Sequence, residues 1–272
     1  MEKRPVAYQL YSARDDAQQN LESVLKKLSE LGYDGVEFAG FYGYSAPQIK
    51  EKLDKFGLKA VSSHVPFQTI VDDMFGTISF HKSIGCRFIA IPYLDNTTRP
   101  GAAGFAGALR EMHRFGVLMR EAGMTLLYHN HDFEFVEVSG QYGLDFLYDV
   151  IDHKVIQTEI DICWVKYAGL DPAEYIKKYT NRCPVVHLKD FVGHKGDEAP
   201  YGLIGQKEKS GHTEAFEFRP VGYGCQDIRS VLNTAIACGA EWFVVEQDMS
   251  VQRSPLEDAE LSIGTLIKLG LK

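Results

Sequence analysis

The sequence predicts a single α/β domain closed into an eight-stranded parallel (β/α)8 barrel. Three observations carry that expectation. Short apolar runs alternate with stretches of helical spacing along the whole chain, and eight such pairs follow one another. The length of 272 residues suits one barrel of this kind, about 250 residues as a rule. The turn after the first apolar run reads Ser12-Ala13-Arg14-Asp15-Asp16. It lacks the glycine-rich fingerprint with which an open, doubly wound sheet usually begins.

Taken in order, Val6 to Ser12 reads as the first strand. Leu21, Val24, Leu25, Leu28 and Leu31 set the period of a helix over 20–31, and Gly32 stops it. Gly35 to Ala39 is the second strand and carries Glu37. Ser45-Ala46-Pro47 opens the next helix, serine as cap and proline in the first turn, and Gly57 ends it. Leu58 to Ser63 is the third strand, with His64 at its end. A helix over 69–84 closes at Gly85, and Arg87 to Tyr93 is the fourth strand. A long amphipathic helix over 103–122 closes at Gly123.

Met124 to His131 is the fifth strand and leads into Tyr128-His129-Asn130-His131-Asp132-Phe133-Glu134-Phe135. A short helix over 144–151 and the sixth strand, Val155 to Ile162, follow. Asp171-Pro172 starts a helix that reaches Tyr179, and Pro184 to Lys189 is the seventh strand. Residues 191–223 form a polar, glycine-rich insertion, too long for an ordinary connection. It is expected to cover the barrel mouth or to form a subunit contact of a homo-oligomer. A helix over 227–238, the eighth strand from Trp242 to Glu246 and a helix after Ser254-Pro255 complete the chain. No linker or repeat divides residues 1–272.

Composition narrows the partners. The formal net charge of −8 argues against a general phosphate-backbone binder, so no nucleic acid is expected. No apolar run approaches the roughly 20 residues of a membrane span. Met1-Glu2-Lys3-Arg4-Pro5 lacks the apolar core of a secretory signal. Five scattered cysteines, with no CxxC pair, read as reduced thiols of a cytoplasmic protein.

In such a barrel the C-terminal strand ends share one mouth, where catalysis takes place. Nearly every end here carries an ionisable group: Glu37, His64, the His129–Glu134 cluster, Glu159 and Asp161, His187 and Lys189, Glu246 and Asp248. Any one of them alone reads as a helix cap or a hydrogen-bonded core residue, and Glu37 as a partner of Arg14. Together they read as mixed carboxylate and imidazole ligands for one divalent cation, Mn²⁺ first, with Co²⁺, Mg²⁺ or Zn²⁺ also suited. His187 and Glu246 each follow or interrupt an apolar run, a place where a polar group needs a partner.

The chain resembles the xylose-isomerase-like TIM barrel superfamily of sugar phosphate isomerases and epimerases, which includes ketose 3-epimerases, inosose dehydratases, dehydroshikimate dehydratases and endonuclease IV. The resemblance covers nearly the whole chain. It rests on Ser63-His64, His129-Asn130-His131, Glu159-Ile160-Asp161, Val186-His187-Leu188-Lys189, Gly222-Tyr223-Gly224 and Val245-Glu246. It implies a metal held by Asp161, His187 and Glu246. The fourth ligand of the epimerase branch is a glutamate, and His129 stands in its place. Either Glu134 turns back to supply that carboxylate, the first choice, or His129 ligates. A histidine common in the family is replaced by Trp164.

The resemblance further implies a keto-sugar or sugar phosphate substrate bound through a metal-stabilised enediolate. Glu134 and Glu246 are the expected acid/base carboxylates, and His64, His129, His131, Trp164 and Lys189 the expected substrate contacts. Isomerisation or epimerisation is the first expectation. Elimination from the same site, as in inosose dehydration or cleavage of a 3-keto-glycoside, is the second, and an endonuclease IV-like nuclease is the remote one.

Overall fold

A computed structural model describes residues 1–196 and 216–272. Eight parallel strands close on one another. In chain order the strands are β1 (Val6–Gln9), β2 (Gly35–Phe38), β3 (Lys59–His64), β4 (Phe88–Ile91), β5 (Thr125–His129), β6 (Glu137–Val138), β7 (Gln141–Tyr142), β8 (Ile156–Asp161), β9 (Val185–Leu188), β10 (Asp190–Gly193), β11 (Phe216–Arg219) and β12 (Trp242–Val245). The barrel order is β1-β12-β9-β8-β5-β4-β3-β2. β1 closes it, pairing Val6 with Phe243 on one side and Ala7 with Gly35 on the other. β6/β7 and β10/β11 are separate antiparallel pairs. Both lie outside the eight-unit pattern and neither is expected from the sequence period.

The helices obey local chemistry closely enough to explain where expectation and structure part. The first, α1, runs Arg14–Leu31, but its backbone leaves the helical region at Asn20. The Asn20 side chain accepts from Ser23 N at 3.1 Å, an internal cap. The apolar period therefore starts there, and the turn and a half before it escapes detection. After α2 (Ala46–Phe56), the predicted helix over 69–84 is two, α3 (Phe67–Asp72) and α4 (Met74–Ser83), separated by Asp73, whose carboxylate caps the second by accepting from Gly76 N at 2.8 Å. After α5 (Phe105–Glu121) and α6 (Gly143–Val150), a helix that periodicity does not reveal, α7 (Ile162–Tyr167), follows β8 directly.

The described residues include part of the 191–223 insertion. Its ends form β10 and β11; a role in covering the mouth or in subunit contact would fall on 197–215, outside the described residues. Asp190 anchors this region. Oδ1 accepts from Phe191 N (2.9 Å) and Gln226 N (3.1 Å), and Oδ2 from Gly222 N and Gly224 N (3.0 Å each). A Cβ on Gly224 would lie 2.2 Å from Asp190 Oδ1. The Gly222-Tyr223-Gly224 stretch is thus a backbone cradle for one carboxylate, and it fixes the chain just past Lys189.

Two apolar layers hold the barrel. Outward-facing residues such as Val36, Leu126, Tyr128, Val186 and Phe243 pack under the helices. Ala7, Val61, Phe88, Ala90, Leu127, Val185 and Val244 form a separate cluster, the floor inside the barrel. No helix among the described residues is long and apolar enough to cross a membrane.

Candidate active site

Strand parity builds the site. Side chains alternate between the two faces of a strand, so the residues two and four beyond the floor face the same interior. Beyond Leu127 these are His129 and His131. Beyond Val185 they are His187 and Lys189, and beyond Val244 they are Glu246 and Asp248. β8 adds Glu159 and Asp161, and β2 adds Glu37. All of these are buried.

Two overlapping quartets result. His129, Asp161, His187 and Glu246 bring one ligand atom each within 4.8 Å of one another, and so do Glu37, His64, Glu159 and His187. In the first, His129 Nε2 lies 3.4 Å from Asp161 Oδ2 and 3.8 Å from Glu246 Oε2, and His187 Nδ1 lies 3.0 Å from Glu246 Oε2. In the second, His64 Nε2 lies 2.8 Å from Glu159 Oε2 and 3.0 Å from Glu37 Oε1. His187 Nε2 is 2.7 Å from the same Glu37 oxygen. Glu37 also accepts from Gln9 Nε2 at 2.5 Å and from the Ser62 hydroxyl. It is knitted into this lower network, and Arg14 instead donates to the carbonyls of Tyr11 and Asp248.

His129 has its tautomer set by its neighbours. Nδ1 lies 3.2 Å from the Pro92 carbonyl oxygen, which can only accept, so Nδ1 carries the hydrogen. Burial pushes the imidazole pKa down to about 4, so the ring is neutral near pH 7. Nε2 then points a lone pair at two carboxylates. His129 Nε2 and Asp161 Oδ2 are both buried and neither makes a hydrogen bond. A ligating histidine typically gives its other N–H to a backbone carbonyl in this way. The donor set of two imidazoles and two carboxylates suits a divalent first-row cation, so the residues fit a metal.

Asp161 has divided duties. Its Oδ1 caps α7, accepting from Cys163 N at 2.8 Å and Trp164 N at 3.1 Å, which leaves Oδ2 to face the mouth. Burial raises its pKa, but the Lys189 ammonium and the His129 imidazole together outweigh this and hold the carboxyl below its usual range. Lys189 Nζ is 2.7 Å from Glu246 Oε2, 2.9 Å from Asp248 Oδ1 and 3.3 Å from Asp161 Oδ2.

The expected substrate contacts come together: ring centroids are 4.8 Å apart for His64–His129, 5.2 Å for His129–His131 and 5.5 Å for His131–Trp164. Lys189 Nζ sits 5.0 Å from the Trp164 ring. His64 is the exception in role, because its Nε2 is engaged with Glu37 and Glu159. Asp248, legible as a strand-end carboxylate but not placed in the site, is part of it. Gln9 was missed; strand parity from Ala7 would have found it.

Glu134, the first choice for the fourth ligand and for a catalytic carboxylate, is in neither quartet. Its Oε1 accepts from Tyr128 OH at 2.8 Å and its Oε2 from His131 N at 2.8 Å. Tyr128 belongs to the outward face of β5, and the carboxylate is held on that side. The residue that stands in the quartet is His129. Burial raises the Glu134 pKa to about 8. An unfolded glutamate loses its proton near pH 4.5, so between these values the folded state binds the extra proton and stability falls as pH rises. Glu134→Gln, whose amide can donate to Tyr128 and accept from His131 N, is expected to flatten the decline in melting temperature across that window. A mutant with the same slope as the parent would show that Glu134 is already ionised.

The chain is 23% identical over 252 residues to inosose dehydratase of Geobacillus kaustophilus, covering 84% of this chain and 80% of that protein. It is 24% identical over 251 residues to inosose dehydratase of Geobacillus thermodenitrificans, covering 84% and 82%. A crystal structure of a sugar phosphate isomerase/epimerase from Parabacteroides distasonis has the same fold, with a TM-score of 0.78 at 20% identity over 98% of this chain and 94% of that one. The family described as xylose isomerase-like TIM barrel matches residues 25–269, and this chain belongs to it.

Proposed function

We propose that the protein is a divalent-metal-dependent enzyme that removes a proton from the carbon beside the carbonyl of a polyhydroxylated ketone, a keto-sugar or a ketocyclitol. The observation that carries this reading is the His129 Nε2 lone pair aimed at Asp161 Oδ2 across 3.4 Å with no hydrogen bond between them. His129, Asp161, His187 and Glu246 would hold the ion. When bound, it would supply Lewis-acid polarisation of the carbonyl, which acidifies the adjacent C–H.

The remaining work falls to the chain. Glu246, kept ionised against the push of burial by the Lys189 ammonium together with the His187 and His129 imidazoles, is the carboxylate that takes the proton. Lys189 offers positive charge to the oxygen on which negative charge gathers. His131 is kept neutral by burial and stacks 5.1 Å from Phe133 and 5.5 Å from Trp164. It binds a substrate hydroxyl, and the flat Trp164 wall favours the apolar face of a ring.

Epimerisation needs a proton acceptor on one face and a donor on the other. With Glu134 turned to the outer side of β5, the carboxylates Glu246 and Asp248 stand together beside Lys189, and imidazoles occupy β5. That asymmetry favours elimination: one carboxylate takes the proton and returns it to the hydroxyl β to the carbonyl, which leaves as water as the C=C bond forms. The names of the two Geobacillus relatives agree with this outcome. Isomerisation with reprotonation by the same group is the second reading, consistent with the family. The chain's acidic balance speaks against a nuclease role.

The test is incubation of the Mn²⁺-loaded protein in D₂O with a panel of ketocyclitols and keto-sugars, followed by mass spectrometry. Loss of one water from a ketocyclitol is the expected result. Deuterium at carbon without loss of water would select isomerisation or epimerisation. A loaded protein that catalysed neither on any member would overturn the reading.

A further inference from the structure

We infer that Lys189 is a resident counter-charge that competes with the metal ion for Asp161 and Glu246 and shifts onto Asp248 when the ion binds. This rests on the metal quartet proposed above and adds a coupling to it: the ammonium becomes available to substrate only in the loaded barrel.

The geometry leaves the two cations the same oxygens. Glu246 Oε2 is 2.7 Å from Lys189 Nζ and is also the atom that faces His187 Nδ1 at 3.0 Å and His129 Nε2 at 3.8 Å. Asp161 Oδ2 is 3.3 Å from Nζ and 3.4 Å from His129 Nε2. Asp161 cannot offer its other oxygen, because Oδ1 caps α7. An ammonium and a divalent ion sharing these atoms would repel strongly in a buried site.

The lysine has somewhere to go. Asp248 Oδ1 lies 2.9 Å from Nζ and belongs to neither quartet. The side chain is 1% exposed, and its head lies 5.0 Å from the Trp164 ring and 5.8 Å from the Phe218 ring. Those rings flank the head, which already lies within reach of the third carboxylate and keeps that partner when it gives up the other two. Without metal, the ammonium offsets carboxylates whose uncompensated burial would be costly.

The experiment is titration of metal-stripped protein with MnCl₂ by calorimetry, with melting curves of each form, for the unaltered chain, Lys189→Met and Asp248→Asn. Lys189→Met is expected to bind Mn²⁺ at least about tenfold more tightly and to melt lower than the parent when metal-free, the gap closing at saturation. Asp248→Asn is expected to bind more weakly, because the ammonium loses its alternative partner. A lysine that only packs the wall would weaken binding when replaced. Equal or weaker binding by Lys189→Met overturns this inference while leaving the metal reading intact. No binding by the unaltered protein overturns both. Should Lys189→Met fail to fold without metal, unchanged or tighter binding by Asp248→Asn still overturns the inference.

Discussion

Asp161→Asn is expected to lose its metal and to lower turnover by about a thousandfold or more while the barrel stays folded. A Lewis-acid ion contributes several kcal/mol to such a barrier, and each 1.4 kcal/mol or so is a factor of ten in rate. The fold survives because Asp161 does two jobs with two oxygens. Asparagine keeps an oxygen for Cys163 N and Trp164 N, the contacts that cap α7. It removes only the oxygen that faces His129 and Lys189. The Asp161 backbone N–H still donates to Asn130 Oδ1 at 3.0 Å. Asp161→Ala loses the cap as well, worth about 1 kcal/mol, so it should melt lower than Asp161→Asn at equal loss of metal. Metal content by mass spectrometry and thermal melts of the two variants separate the roles. Stoichiometric Mn²⁺ in Asp161→Asn would remove this residue from the ligand set.

Much of this site was legible because strand parity is a local rule. Once Val185, Val186, His187, Leu188 and Lys189 read as a strand with an apolar floor, His187 and Lys189 must share a face, and likewise Val244 and Glu246. The eight-unit alternation placed every barrel strand. The parts that were not legible lie where parity stops. Glu134 sits five residues past His129, in a short turn over Phe133–Phe135, and nothing in its spacing says which side of β5 it will face. The Tyr128 hydroxyl decides that, a side-chain contact across the turn that no period encodes. The break in α1 at Asn20 and the division at Asp73 are side-chain caps inside apparent helical runs, where polar residues compete with the helix for backbone N–H groups. The β10/β11 pair escaped because Asp190–Gly193 and Phe216–Arg219 are too far apart in sequence for a turn to announce them.

His129→Ala is expected to lose Mn²⁺ under conditions in which Glu134→Gln retains it. The affinity lost by His129→Ala should exceed the ~10- to 100-fold typical of an outer-sphere partner, since a direct donor is removed. Among the described residues, Glu134 is joined to the site by its hydrogen bond from His131 N, which glutamine preserves. The sharper contrast is His129→Glu. It places a carboxylate where two others, Asp161 and Glu246, already stand within 3.8 Å of the imidazole it replaces. Without metal that variant adds a carboxylate to the three, Asp161, Glu246 and Asp248, that already surround one buried ammonium, and it should melt lower than the parent, because like charges in a buried site are poorly screened. With Mn²⁺ the same crowding becomes a stronger ligand field, so the gap in melting temperature should close or reverse as metal is added. If His129→Ala and the parent hold equal metal while Glu134→Gln is empty, the outer-side carboxylate must reach the ion by a rearrangement of the Tyr128 contact, and the quartet would have to be redrawn around Glu134.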